Sequence, residues 1–339
     1  MSTRDAAVDG ARTAVHLVVA RAPLRVSLAG GGTDLPSYAD RFASAVVSLA
    51  MDRYVSVTTF PRSFGGGVRA CWEDVEQVEH AEQLRNRFAR AALLHTGTLR
   101  SIQLASCADA PSSSGLGGSG AFAVALLHQE RPEPGELAER AGAIEMHDLG
   151  RQVGKHDHYM AAFGGLRVLR CGKDGSVRPQ PLAIGGALEG YVRDRLLLFF
   201  TGLSRDAGQV LTAQDRNTYY GDSDTLRALR SIHSLVPEML NAVTTGRVDS
   251  IGLLLDAHWQ AKCRLSQGVS NNRVEALYKV GREADADGGK LLGAGGGFLL
   301  LSSAPGRTQE IRAAMAEQHA QELPFGPDAT GSQVVGLPV

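Results

Sequence analysis

The chain has 339 residues, with 35 basic and 36 acidic side chains, a net charge of -1, and 43% hydrophobic against 21% charged residues. That balance fits a packed globular protein and excludes disorder. It leaves no basic footprint for nucleic acid and no polybasic patch for a membrane surface. Glycine is in excess: 40 residues, about 12%, against a usual ~7%. With only 13 prolines, the glycines mark turns and close backbone approaches rather than low complexity.

At ~150 residues per domain the length suits two domains or one large one. No apolar stretch approaches the ~20 residues of a membrane span, and the first residues lack the apolar run of a secretory signal. Cys71, Cys107, Cys171 and Cys263 lie far apart without a CxxC pair, so free thiols in a reducing cytoplasm are expected.

In chain order, residues 1–17 are small, polar and aperiodic and are expected to form a mobile extension. Residues 16–21 and 24–28 read as two short strands joined by Ala22-Pro23, and 45–49 and 54–60 as two more. Residues 79–96 have the pattern of an amphipathic helix ending before Gly97. A strand at 102–106 precedes a glycine-rich loop at 111–120 that opens into a helix. Further helices are expected from Pro134 to about Leu149 and at 159–163. Strands at 166–170 and 196–200 bracket a loop with Gly172, Gly175, Gly185 and Gly186. Residues 204–277 are mostly helical, with breaks near Gly221, Gly246 and Gly268. A strand at 298–302 and a helix over 307–323 follow. Gly65 to Gly67 reads as a surface hairpin. The alternation implies an α+β protein in two lobes, with a boundary between 175 and 195.

Four places can carry chemistry. The loop Pro111-Ser-Ser-Ser-Gly-Leu-Gly-Gly-Ser-Gly120 precedes a helix, whose open N–H groups and positive end attract phosphate. It is neither a Walker A loop nor a dinucleotide fingerprint. Glu145 and Asp157, twelve residues apart, can converge if the chain turns at Gly150 and Gly154, one holding Mg²⁺ and the other accepting a proton. The segment His156-Asp-His158 has the alternative reading of a metal-hydrolase constellation. Lys290-Leu-Leu-Gly-Ala-Gly-Gly-Gly297 feeds an apolar run. Arg21-Ala-Pro-Leu-Arg25, with Gly30-Gly-Gly-Thr-Asp34, sets a guanidinium beside a carboxylate suited to a polyol. Together these describe phosphoryl transfer.

Those residues resemble the GHMP kinase superfamily (galactokinase, homoserine kinase, mevalonate kinase, phosphomevalonate kinase). Residues 21–34, 111–119 and 290–297 are similar to its three motifs, in order. Within it, Asp52-Arg-Tyr54, the segment Gly154 to Gly165 and Thr201-Gly-Leu-Ser-Arg205 resemble the D-glycero-D-manno-heptose 7-phosphate kinases. The similarity runs from about residue 19 to the C-terminus.

The resemblance implies a domain like ribosomal protein S5 domain 2 over 18–185 and a ferredoxin-like domain over 186–339. It implies ATP and Mg²⁺, with Pro111, Ser113, Ser114, Gly115, Leu116, Gly117, Gly118 and Ser119 around the nucleotide phosphates. Ser119 and Glu145 fall at the metal positions, and Asp157 and Arg25 at the catalytic ones. Gly31, Gly32, Thr33, Asp34, Lys155, Gly295 and Gly296 fall on the substrate side. An acceptor phosphate would need cations, for which Lys155, Arg41, Arg53 and Arg205 are candidates. The implied activity is phosphorylation of the anomeric hydroxyl of a heptose 7-phosphate, a step toward nucleotide-activated heptose. The alternatives are a kinase of a free, fucose-like sugar and a non-catalytic sensor of sugar and ATP. A small-molecule sugar phosphate is the expected partner, with a homodimer as the expected assembly.

The sequence departs from the family at three places. Gly118 replaces a serine of motif 2, motif 3 has one glycine fewer after Ala294, and Ala43-Ser44 stands where the family has Gly-Gly.

Overall fold

The computed structural model describes residues 16–204, 208–265, 268–293 and 296–338. Most of the expected N-terminal extension lies outside these residues, as do Arg205 and Gly295. His16 and Leu17 already belong to the first strand, β1 (His16–Ala29). Pro23 does not break β1 in two: a register shift between Pro23 and Arg25 lets the strand continue against its neighbour β2 (Ser44–Pro61). β2 likewise joins the two strands expected over 45–60 into one. Between β1 and β2 lies the short helix α1 (Pro36–Phe42).

The remaining strands are β3 (Val68–Cys71), β4 (Val75–Val78), β5 (Ile102–Ala108), β6 (Leu166–Cys171), β7 (Val177–Leu182), β8 (Leu196–Phe200), β9 (Ala286–Leu291), β10 (Phe298–Ser303), β11 (Gln321–Glu322) and β12 (Gln333–Pro338). The first sheet runs β12-β1-β2-β5-β3-β4 and forks at β2, whose first half pairs β6 and whose second half pairs β5; β7 extends the β6 branch. The last strand of the chain therefore returns to the first. The second sheet is antiparallel, in the order β11-β8-β10-β9.

Three local expectations are corrected. The helix expected over 79–96 shrinks to α2 (Arg87–His95). The Glu76 carboxylate accepts the backbone N–H groups of Arg85 and Asn86 at 2.6 and 3.3 Å, and Asn86 caps the helix by accepting from Ala89 N at 3.0 Å. Gly65 to Gly67 is not a hairpin, because β3 does not pair with β2; the segment crosses to the far side of β5, where β3 pairs parallel to β5. The loop expected between 171 and 195 contains β7 and the helix α6 (Gly186–Arg195).

The helices α3 (Gly118–Leu127), α4 (Pro134–Ala143) and α5 (His156–Phe163) cover one face of the first sheet. Val26, Leu28, Val47, Leu49, Val124, Leu137 and Met160 share that core. In the second lobe, α7 (Gly208–Tyr219), α8 (Ser223–Thr245), α9 (Ile251–Lys262) and α10 (Asn272–Glu283) break where glycine was expected to break them, and α11 (Thr308–Glu317) follows β10. β8 is apolar throughout because both its faces are covered. Leu196 and Leu198 join the large core shared with the first lobe, while Leu197 and Phe199 pack with Ile311 and Met315. The expectation of an α+β protein holds. Among the described residues no helix is long and apolar enough to cross a membrane, and the four cysteines are free.

Candidate active site

α3 begins at Gly118 after Gly117, which takes a left-handed conformation with φ of 76° and supplies no side-chain cap. The first-turn N–H groups thus remain open, in the arrangement that binds anions. A Cβ on Gly117 would stand 3.2 Å from Arg25 Cγ and 3.3 Å from Asp157 Cγ. Glycine is therefore what lets the phosphate loop lie directly over these two charged groups. The loop is held from below by Arg25, whose Nη1 donates to Gly115 O at 2.7 Å. It is held from the side by the third motif, where Phe298 N donates to Ser114 O at 3.2 Å.

Asp157 sits in the first turn of α5. Arg25 Nε and Nη2 both donate to its Oδ1, at 2.8 and 2.6 Å. No hydrogen bond reaches Oδ2 among the described residues. Burial raises the Asp157 pKa, but the Arg25 charge outweighs it, and the carboxyl ends below the usual carboxylate range. The neighbouring His156 is driven to about 3 by burial and by the same guanidinium, so it is neutral. Its Nε2 is buried without a partner.

Glu145 reaches the same place by a different device. α4 ends in a π-helical turn, Ile144–Asp148, and the extra residue of that turn rotates Glu145 inward until it is 1% exposed. There its Oε1 accepts from Ser119 Oγ at 3.0 Å and faces Arg151 Nη1 at 3.3 Å, and its Oε2 lies 2.9 Å from His158 Nε2. His158 follows Asp157 on α5, so this one contact ties the two carboxylate-bearing segments together. With His158 occupied in this way, the alternative metal-hydrolase constellation does not form. Among the described residues no group of three or more His, Cys, Asp or Glu side chains is arranged to hold a metal ion.

A single cleft gathers Arg25, Gly31, Gly32, Asp34, Ser113, Ser114, Gly115, Gly117, Gly118, Ser119, Glu145, Asp157 and Gly296. Asp34 accepts from Gly32 N at 3.1 Å, and burial together with the charge of Asp157 raises its pKa. Other residues implied by the resemblance lie elsewhere. Pro111 is exposed. Leu116 is fully buried and its carbonyl accepts from Arg25 N at 3.0 Å. Thr33 is buried and donates to Gly30 O at 2.7 Å, which shapes the turn.

Lys155 turns away from the cleft: its ammonium contacts Glu139 at 2.7 Å and Gly175 O at 3.0 Å. Arg41 donates to Thr218 O, and Arg53 pairs with Asp52. Sequence reading missed Gln214, His258 and Lys262, which with Lys290 also line the cleft. Lys290 opens the third motif and was visible there. Gln214, His258 and Lys262 sit on helices without a motif.

No family model matches the chain. It is 28% identical over 323 residues to a D-glycero-alpha-D-manno-heptose 7-phosphate kinase of Campylobacter jejuni, an alignment covering 89% of this chain and 95% of that protein. It is 24% identical to the bifunctional fucokinase/GDP-fucose pyrophosphorylase of Arabidopsis thaliana, over 91% of this chain and 32% of that protein. In structure it is similar to a D-glycero-D-manno-heptose 1-phosphate kinase of Bacteroides thetaiotaomicron, with a TM-score of 0.77 and 23% identity, covering 94% of this chain and 99% of that one. In sequence and in fold, the chain is thus similar to sugar kinases of the kind that its three motifs resemble.

Proposed function

We propose that this kinase transfers the γ-phosphoryl group of ATP to the anomeric hydroxyl of a heptose 7-phosphate, giving a heptose 1,7-bisphosphate. The observation that carries phosphoryl transfer is the Asp157–Arg25 pair beneath the open N-terminus of α3, with Ser119 and Glu145 beside it. The heptose 7-phosphate acceptor rests on the likeness to the Campylobacter jejuni kinase along almost the whole of both chains.

The α3 N-terminus and the Gly115–Ser119 backbone hold the nucleotide phosphates. The Ser119 hydroxyl and the Glu145 carboxylate are adjacent oxygen donors and would hold Mg²⁺. When bound there, the ion neutralises charge on the transferring group. Arg25 engages one oxygen of Asp157 and leaves Oδ2 to accept the hydrogen of the sugar hydroxyl. A carboxylate held below its usual pKa is a weak base. It suits a reaction in which positioning dominates and the proton leaves late, and an anomeric hydroxyl, more acidic than an ordinary alcohol, lowers the demand further. Asp34 and the Gly31–Gly32 backbone orient the sugar.

The test is an ATP-coupled assay over heptose 7-phosphate, fucose, galactose and mannose. Turnover of heptose 7-phosphate is expected to exceed that of every free sugar. Turnover of a free sugar with none of heptose 7-phosphate would replace this acceptor with the fucose-like one to which the second relative points.

A further inference from the structure

Two lysines in the cleft have no acidic partner among the described residues. Lys290, 1% exposed, and Lys262, at the C-terminus of α9, both line it. The other lysines with recorded ion pairs meet carboxylates, Lys155 with Glu139 and Lys279 with Glu283. Among the described residues no carboxylate lies within 4.0 Å of Lys262 or Lys290. Burying a cation without a counter-charge is costly. Burial and the charges of Lys262 and Arg25 push the Lys290 ammonium well below the usual lysine range, so Lys262 is the cation of the pair and marks a place to which an anion comes.

Hydrogen-bond capacity separates their roles, because an ammonium has three hydrogens to give. Those of Lys290 face Ser27 Oγ at 3.2 Å, His258 Nδ1 at 3.2 Å and Leu28 O at 3.5 Å. None is left for a ligand. Lys262 donates to Leu291 O and Gly293 O, and its third hydrogen is uncommitted.

Lys262 borders both ends of the transfer, because its partner Gly293 packs on Gly115 of the glycine-rich loop, and the supply of donors argues for the acceptor over the nucleotide. Lys262 stands on the second-lobe wall with Gln214, whose Nε2 donates to Gly32 O at 2.8 Å in the turn that carries Asp34. The nucleotide phosphates already have the α3 N-terminus and Ser119. We propose that Lys262 receives a phosphoryl group that the acceptor already carries, with Lys290 packed behind it. This rests on the reading of the acceptor as a sugar phosphate. Burial and the nearby Arg25 hold the Lys262 pKa down to about 8, so it is a cation at neutral pH, and an arriving dianion would hold its proton more firmly.

The test is steady-state kinetics of Lys262→Met and Lys262→Arg with heptose 7-phosphate and ATP, together with inhibition by inorganic phosphate and thermal unfolding. Lys262→Met is expected to raise the acceptor KM at least tenfold while the ATP KM stays within twofold. Lys262→Arg should recover part of that loss. Inorganic phosphate should compete with the acceptor in the wild type, and about tenfold less well in Lys262→Met. An equal rise in the ATP KM would assign Lys262 to the nucleotide. An unchanged acceptor KM, with or without a lower melting temperature, would make it a structural cation holding the Gly293 loop. Either result overturns the proposal. If the wild-type enzyme does not turn over heptose 7-phosphate at all, it is the acceptor reading that fails, and that is seen before any variant is made.

Discussion

Replacing Gly120 with alanine separates the packing of the site from its chemistry. Gly120 lies in the first turn of α3 against the start of α5. An added Cβ would stand 2.9 Å from Asp157 Cβ, 3.1 Å from its carbonyl carbon and 3.2 Å from His158 N. These are backbone and Cβ atoms, so no rotamer change relieves them; reaching ordinary contact at 3.4 Å requires α5 to move by about 0.5 Å. Alanine gains ~0.5–1 kcal/mol over glycine inside a helix, while overpacking costs ~1–3 kcal/mol. The net loss of stability is then about 0–2.5 kcal/mol. Displacing a catalytic group by a good fraction of an ångström costs up to ~100-fold in rate, so kcat should fall about 10- to 100-fold in a protein that still folds. The control is Gly190→Ala in α6, where nothing lies within 4 Å of the added carbon. It should gain ~0.5–1 kcal/mol and leave kcat unchanged. Urea unfolding and coupled ADP release measure both quantities. Wild-type kcat in Gly120→Ala, with a stability gain equal to that of Gly190→Ala, would refute the close-packed placement of Asp157 and its catalytic role together.

Asp157→Asn keeps the shape but removes the proton acceptor, and should lower kcat by ~10²–10⁴ with little change in the ATP KM; ADP formation near the wild-type rate would remove Asp157 from catalysis. Glu145→Gln should raise the Mg²⁺ concentration for half-maximal rate on the order of tenfold or more, and an unchanged Mg²⁺ titration would show that Glu145 serves only His158 and Ser119. His156 has its folded pKa depressed from 6.5 to about 3, so its contribution to stability is full above pH 6.5 and is lost as pH falls toward 3. At ~1.4 kcal/mol per pH unit the loss reaches about 2 kcal/mol by pH 5. His156→Asn should show a smaller drop in urea midpoint between pH 7.5 and pH 5 than the wild type, and equal drops would mean that His156 is not held neutral by burial.

Different parts of the molecule were legible to different degrees, for physical reasons. The loop proposed to hold phosphate could be read because such a role is carried by backbone, and backbone exposure requires glycine within one short stretch, Gly115 to Gly120. The turns at Gly150 and Gly154 let Glu145 and Asp157 be read as a candidate pair, but which of them serves the metal came only from the resemblance. What brings them together is a π-turn after α4 and the His158 contact, neither of which has a composition of its own. β9 was hidden because Gly288 and Gly289 contradict strand propensity, and β12 because its place beside β1 is decided at the other end of the chain.

The cleft shows the same division. Most of the groups proposed to face the nucleotide come from the first lobe and lie in or near recognisable motifs. The opposite wall arrives from far along the chain: Gln214 meets Gly32 across 182 residues, and Lys290 meets Ser27 across 263. Helices such as α7 and α9 are selected mainly for an apolar face, and a single polar residue at the edge of that face leaves no periodic signal. On the reading proposed here, the groups of phosphoryl transfer are written locally, while part of the acceptor site is assembled only by the tertiary fold. That is why the sequence points to the reaction class through contiguous residues, while Lys262, the residue on which acceptor choice is proposed to turn, becomes visible only when the second lobe is placed against the first.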